Sequence, residues 1–214
     1  MEKSIFSKVY MWMCYGLLIT FATSYAVYSS PWALNLIFGS SLYYFIILAE
    51  IVVAIILPVR LVKTSKNTAI FLYLLYTFLT GLTFASIFLL FSISSIIYVF
   101  LIAALVFLIF ALIGRFTSID LTKFGTFLLM ALVGVIILEL INFFIGSESF
   151  NTILCIIGLL IFFGYIAYDI QKIKNMSTYG IEEDKLAIYG AFDLYLDFIN
   201  VFIRLLQLFG KSKD

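Results

Sequence analysis

The chain reads as seven apolar runs, each bounded by a short polar break: about 9–29, 34–59, 68–90, 94–114, 122–145, 150–171 and 186–209. A bilayer-crossing helix needs about 20 apolar residues, twice what a barrel strand needs. Inside hydrocarbon every backbone donor and acceptor must be satisfied by the chain itself, which a helix does on its own. The expected fold class is an all-α membrane protein with seven transmembrane helices, and 1–214 is expected to form a single transmembrane domain. Soluble domains carry about 25% charged residues. This chain is 64% hydrophobic and only 12% charged, too little polar surface to cover a soluble globule, and its mean hydropathy is +1.19.

The breaks suit turns between helices. Ser29-Ser30-Pro31-Trp32 is a turn, Arg60 to Asn67 a basic loop, and Ser92 to Ser95 a tight polar connection. Arg115 to Lys123 is a second charged loop, Gly146-Ser147-Glu148-Ser149 a short hairpin, and Lys172 to Lys185 the longest polar stretch. The 34–59 run has room for a tilted helix or a broken one. No small-residue cleavage site follows the first run, so it reads as an anchor rather than a removable signal.

Lysine and arginine set the orientation. With the N-terminus inside, the inner segments hold Lys3, Lys8, Arg60, Lys63, Lys66, Arg115, Lys123, Lys172, Lys174 and Lys185. The outer loops after spans one, three and five hold none. Seven crossings would leave Lys211 and Lys213 outside, a mild violation that a re-entrant last segment would remove. The brevity of the loops suggests a bacterial inner membrane protein, cytoplasmic at its N-terminus.

Several chemistries are excluded at once. The chain has no histidine, which removes imidazole-based catalysis, His-ligated metals and imidazole pH sensing. Cys14 and Cys155 each lie in an apolar run, and read as small core hydrophobes rather than a disulfide or zinc site. A net charge of +1 with no long basic run gives nucleic acid nothing to bind.

Ionisable groups within a span cost about 2.5–3.5 kcal/mol or more and mark function by default. Six qualify: Glu50, Glu139, Asp169, Asp193, Asp197 and Arg204. On span seven, Asp193, Asp197, Asn200 and Arg204 are four, three and four apart, one continuous stripe on a helix. Lipid would leave it unpaired, so it must face the bundle interior or water. One reading is an internal clasp, with Arg204 paired to a carboxylate and Asn200 bridging. The other turns on Asp169, in Tyr168-Asp169-Ile170-Gln171 near the inner end of span six. Depth along ideal helices allows either Asp193 or Asp197 to meet it. Two carboxyls in contact share a proton rather than both ionising, and a histidine-free protein could sense pH that way. Arg60, at the same inner side, could pair with the deprotonated site and let go when a proton arrives. Pro58 allows a kink that would aim Arg60 inward; otherwise it is a snorkelling anchor. Glu139 on span five, with Asn142 three residues on, Glu50 in span two and Glu148 outside extend the line of acids. Hard oxygen ligands of this kind suit Ca²⁺.

Phe192-Asp193-Leu194-Tyr195-Leu196-Asp197-Phe198-Ile199-Asn200-Val201-Phe202, following Tyr168-Asp169-Ile170-Gln171, resembles the C-terminal signature of the Bax inhibitor (transmembrane BAX inhibitor motif) family. Ile109 to Gly114, Asp120-Leu121 and Glu139-Leu140-Ile141-Asn142-Phe143-Phe144 add weaker likeness. The resemblance implies a central last helix wrapped by the other six. It implies a pH-sensitive Ca²⁺ leak, with Asp169 and Asp197 as the sensing dyad and transient Ca²⁺ ligands, and Arg60 as the closed-state latch. Asp193 falls at a variable position and would only modulate. No resident cofactor is implied, only transported or transiently bound Ca²⁺. The chain departs from the pattern with Ser118-Ile119 before Asp120, where a Thr-Lys pair is usual. It also departs at Arg204, a fixed cation on the stripe that would partly neutralise a cation pathway.

Two rival functions share part of this pattern. An intramembrane aspartyl protease would also use one aspartate on each of spans six and seven, but the Gly-x-Gly-Asp context and a following Pro-Ala-Leu are missing, so no enzyme is expected. A non-transporting regulator that binds a membrane partner, such as a protease or a cell-death protein, is compatible with the resemblance, though no binding face is marked. A retinal receptor is excluded, since no lysine lies between Lys185 and Lys211. The expected partners are the lipid bilayer, Ca²⁺ and a possible membrane protein.

Overall fold

The computed structural model describes residues 2–60 and 64–213, with the side chains of residues 2, 3 and 60 outside the description. Eight helices follow in chain order: α1 (Glu2–Tyr28), α2 (Pro31–Phe38), α3 (Leu42–Arg60), α4 (Lys66–Leu90), α5 (Ile93–Phe116), α6 (Thr122–Ile145), α7 (Glu148–Met176) and α8 (Glu183–Phe209). All but α2 are long and apolar enough to cross a membrane, as expected.

The second span is the broken one. Ser30 caps α2, accepting a hydrogen bond from the Ala33 N–H at 3.4 Å with Pro31 in the first turn, and the short helix stops at Gly39. Ser40 then accepts from the Leu42 N–H at 3.2 Å, and α3 begins. Pro58 lies inside α3, which runs on to Arg60. The last span starts at Glu183 rather than Leu186, one turn earlier than the hydropathy places it. Left-handed glycines shape two turns. Gly146, at φ 71°, ends α6, and Gly180, at φ 71°, lies between α7 and α8.

The residues group into two compact units, Met1–Ile93 with Met176–Tyr195 and Ser212–Asp214, and Ser94–Asn175 with Leu196–Lys211. In the first, α4 packs along α1 and α3, and α2 links the latter two. The Tyr73 hydroxyl donates to the Trp12 carbonyl at 2.8 Å, and the Thr20 hydroxyl meets Tyr195 Oη at 2.6 Å. Tyr195, fully buried, stands edge-on to Tyr73 and Tyr76; such pairs add about 0.5–1.5 kcal/mol each. In the second unit, Phe198 of α8 stands edge-on to Phe100 and Phe107 of α5. The helices differ in enclosure. Across its apolar stretch α8 is 78% buried and α7 56%, against 17% for α3 and α6, which leaves the latter two to face lipid.

Contacts at the two ends of α8, all within the first unit, settle where the chain finishes. At its start, Asp184 pairs with Lys8 of α1 at 2.9 Å and with Lys66 of α4 at 2.6 Å. Beyond its end, the Lys213 N–H donates to the Leu90 carbonyl at 2.9 Å, and Lys213 Nζ donates to Tyr28 Oη at 2.6 Å. So α8 begins beside the starts of α1 and α4 and finishes beside their ends. At about 1.5 Å per residue its length spans a bilayer of about 30 Å. The re-entrant alternative falls, and the C-terminus lies opposite the N-terminus. Lys213 is tolerated there because it is held over the Tyr28 ring, 4.9 Å from its centroid.

Lys213→Cys, in a chain with Cys14 and Cys155 replaced, is expected to react with a membrane-impermeant maleimide added outside intact cells, and Lys185→Cys only after permeabilisation. The reverse pattern would overturn the orientation.

Candidate functional site

The signature acids Asp169 and Asp197 both belong to the second unit, on α7 and α8, and both are buried, at 5% and 4% exposure. Tyr165, one turn before Asp169 on α7, lies within electrostatic reach of both carboxyls. A cation on its own helix stands beside Asp169: Lys172 Nζ lies 3.4 Å from Oδ1 and 5.8 Å from the Tyr168 ring centroid. Neither Tyr165 nor Lys172 was picked out from the sequence. Spacing held the signal, since residues four before and three after Asp169 share its helix face.

The Tyr168-Asp169-Ile170-Gln171 segment is clamped from outside α7. The Gln171 amide donates to the Ile119 carbonyl at 2.8 Å, and its Oε1 accepts from the Leu121 N–H at 2.7 Å. Both partners lie in the α5–α6 connection. Tyr168 packs where α6 has Gly125; a methyl at 125 would collide with its ring. Ala167 meets Gly114 of α5 in the same way. Two helices and the connection between them thus hold α7 on either side of Asp169, a function for Gly114 and Gln171 that the motif alone did not disclose.

The outer half of the stripe carries a different arrangement. Arg204 is buried, and its Nη1 donates to Glu139 Oε1 of α6 at 2.8 Å. This realises the clasp reading for Arg204 and names its carboxylate. Asn200 does not bridge; its amide donates to the Leu196 carbonyl of its own helix at 2.8 Å. Asn142 is engaged in the α6–α7 turn, donating to the Ser147 carbonyl at 3.2 Å and accepting from the Ser147 N–H at 3.3 Å. Cys155 is buried, its thiol 3.3 Å from the Arg204 carbonyl, while Cys14 is exposed on its helix rather than in the core.

Three candidates lie in the first unit. Glu50 of α3 accepts from the Thr80 hydroxyl at 2.8 Å and the Thr83 hydroxyl at 3.4 Å, both on α4. Asp193 is half-buried on α8. Arg60 ends α3, and its side chain, like the whole of Lys63, lies outside the described residues. Among the described residues no three Cys, Asp or Glu side chains gather as a metal cage. A cation near Asp169 and Asp197 would need backbone carbonyls or water to fill its shell of six to eight oxygens.

The profile of the family described as inhibitor of apoptosis-promoting Bax1 matches residues 2–214. The inner membrane protein YbhL of Escherichia coli is 36% identical, over 99% of this chain and 93% of its own length. An uncharacterised protein of Borreliella burgdorferi is 36% identical over 100% and 94%, and the uncharacterised protein RP147 of Rickettsia prowazekii 35% over 97% and 89%.

Gln171→Ala removes both bonds to the α5–α6 connection and is expected to cost about 1–3 kcal/mol, and Gly125→Val more, through the clash with Tyr168. Both should read as lowered Tm in detergent. Unchanged melting in both variants would dismiss the clamp.

Proposed function

The chain belongs to the Bax inhibitor family, and from that premise we propose that it is a pH-sensitive calcium leak in the inner membrane of a bacterium. The sensor is the pair Asp169–Asp197. The observation that carries this reading is the burial of both carboxyls within electrostatic reach of a single tyrosine, Tyr165. Holding two negative charges close together in so dry a region is costly, and one proton held between them removes most of that cost. The protonation state of the pair then decides whether it attracts a cation.

With the proton absent, the pair carries charge and holds the latch arginine, the role proposed for Arg60. With the proton present, the attraction collapses and the latch is free. Acidification therefore opens the leak. The ion is Ca²⁺, which takes carboxylate and carbonyl oxygens. Two carboxylates without a third suit a passing ion better than a stored one. Glu50 and Asp193 belong to the pathway or modulate it in this reading, and Asn200 lines it.

The test is flux from liposomes holding a pH-insensitive Ca²⁺ dye, titrated between mildly acidic and neutral pH. Wild-type flux should rise as pH falls. Asp169→Asn and Asp197→Asn, permanently uncharged at one site, should flatten the response, and Arg60→Gln should raise flux at neutral pH toward its acidic level. Variants of the two aspartates that titrate like the wild type would refute the sensor, and a wild type with no flux would refute the leak.

A further inference from the structure

The second unit contains an ion pair that the sensor reading leaves without a role. Arg204 stands seven residues beyond Asp197 on α8, two turns away on the same face and about 10 Å along the axis. Its Nη1 binds Glu139 of α6 at 2.8 Å and reaches the Leu154 carbonyl of α7 at 3.5 Å. The guanidinium lies 5.7 Å from the centroid of the Phe162 ring, also on α7. It fits because α7 has Gly158 at that level; a methyl there would collide with Cζ and Nη1. The Cys155 thiol, one turn before Gly158, donates to the Arg204 carbonyl at 3.3 Å and to Gln207 Oε1 at 3.4 Å. Three helices therefore meet at one guanidinium, which sits in a notch cut for it.

Such a pair is a poor source of stability. Apolar residues of similar volume often serve as well or better, because the charges must first be desolvated. Here the cost is not fully offset, since Arg204 Nε is buried with no acceptor among the described residues. What apolar packing supplies poorly is register. A leucine in a groove can slide by a methyl group, whereas a guanidinium seated in the Gly158 notch and hydrogen-bonded to Glu139 has one position.

We propose that Glu139 and Arg204, seated in the Gly158 notch, are positioning residues that fix the register of α8 against α7 and so set how Asp197 meets Asp169. The pair acts through helix position, not through its charge. Tyr165 and Lys172 of α7 are titratable neighbours of the dyad, the latter lying over Tyr168. This inference rests on the sensor reading for its functional consequence, but its geometric content is separate.

Two substitutions divide the possibilities. Glu139→Gln keeps an oxygen acceptor for Nη1 and removes the charge; Glu139→Leu removes both. Positioning predicts a wild-type pH midpoint of Ca²⁺ flux in Glu139→Gln and a shifted one in Glu139→Leu. Equal shifts in both would mean that the charge acts at a distance, and lowered Tm with unshifted midpoints in both would mean a structural role only. Either result overturns the proposal. A second readout needs no flux. In a Cys14→Ser chain, Gln207→Cys puts a thiol beside Cys155, and a short bis-methanethiosulfonate, which forms a disulfide with each thiol and releases methanesulfinate, should link the two efficiently in the otherwise wild-type and Glu139→Gln forms and poorly in Glu139→Leu. Linking them before reconstitution should restore the midpoint of Glu139→Leu. Equal linking in all three forms would refute the register claim even if the sensor stands. A pH response that survives Asp169→Asn and Asp197→Asn, with linking as expected, would refute the sensor and leave the register claim intact.

Discussion

No polar group in this molecule can rely on the surrounding lipid, and the rest of the architecture follows from that constraint. An unsatisfied donor or acceptor in hydrocarbon costs several kcal/mol, so buried hydroxyls and amides among the described residues take partners from a neighbouring helix or from their own. The Thr20 hydroxyl meets Tyr195, Thr80 meets Glu50, and Asn200 turns back to the Leu196 carbonyl. These bonds fix which helix faces are interior more sharply than apolar packing does. Leucine, isoleucine and phenylalanine are equally at home against lipid or protein, as the exposed Phe143 and Phe144 show.

The same reasoning explains what the sequence could disclose. Hydrophobic length is a one-dimensional signal, and it was enough to give seven spans; lysine bias adds the direction expected for them. The break at Gly39–Ser41 was legible only as surplus length, because a short helix capped by Ser30 and a continuous one have the same hydropathy. The buried state of Asp169 and Asp197 followed from the cost of leaving either in lipid. The identity of each partner did not. Glu139 was read as a pathway acid toward the outer end of span five, and nothing in its spacing relates it to Arg204, which is 65 residues away. Pairings between distant helices depend on crossing geometry, which no local pattern records. Gln171 shows the point from the other side. It stood within the quoted motif, yet its bonds to Ile119 and Leu121 depend on a loop about 50 residues earlier.

The polar stripe of α8 also divides more finely than its spacing suggests. Asp193, Asp197, Asn200 and Arg204 share a face, but Asp193 belongs with the first unit and the others with the second. Asp197 and Arg204 are buried, while Asn200 is half-buried and satisfied by its own helix. A stripe of this kind is not one feature with one role. Its members acquire roles from whichever helix each meets, and the glycines opposite them decide how closely that helix can come. Gly158 admits a guanidinium against α7, whereas Gly125 admits the Tyr168 ring against α6.

A histidine-free chain that responds to pH must use carboxyls, and a single carboxyl serves badly. Alone in hydrocarbon, such a group keeps its proton throughout the physiological range; fully paired with a cation, it is charged throughout. Neither condition changes with modest acidification. Two carboxyls that compete for one proton, with a cation beside one of them, occupy the intermediate case, and small changes in their separation move the balance. Asp169 with Lys172 at 3.4 Å, and Asp197 on the next helix, have that composition. The demand such a sensor places on the fold is therefore positional: α7 and α8 must keep their relative register to within a fraction of a side chain. The Gln171 clamp fixes α7 on the inner side, and the Glu139–Arg204 pair ties α8 to α6 and α7 further out. Under the proposed reading, rigidity at these two levels leaves protonation, rather than helix sliding, as the variable that governs the pair.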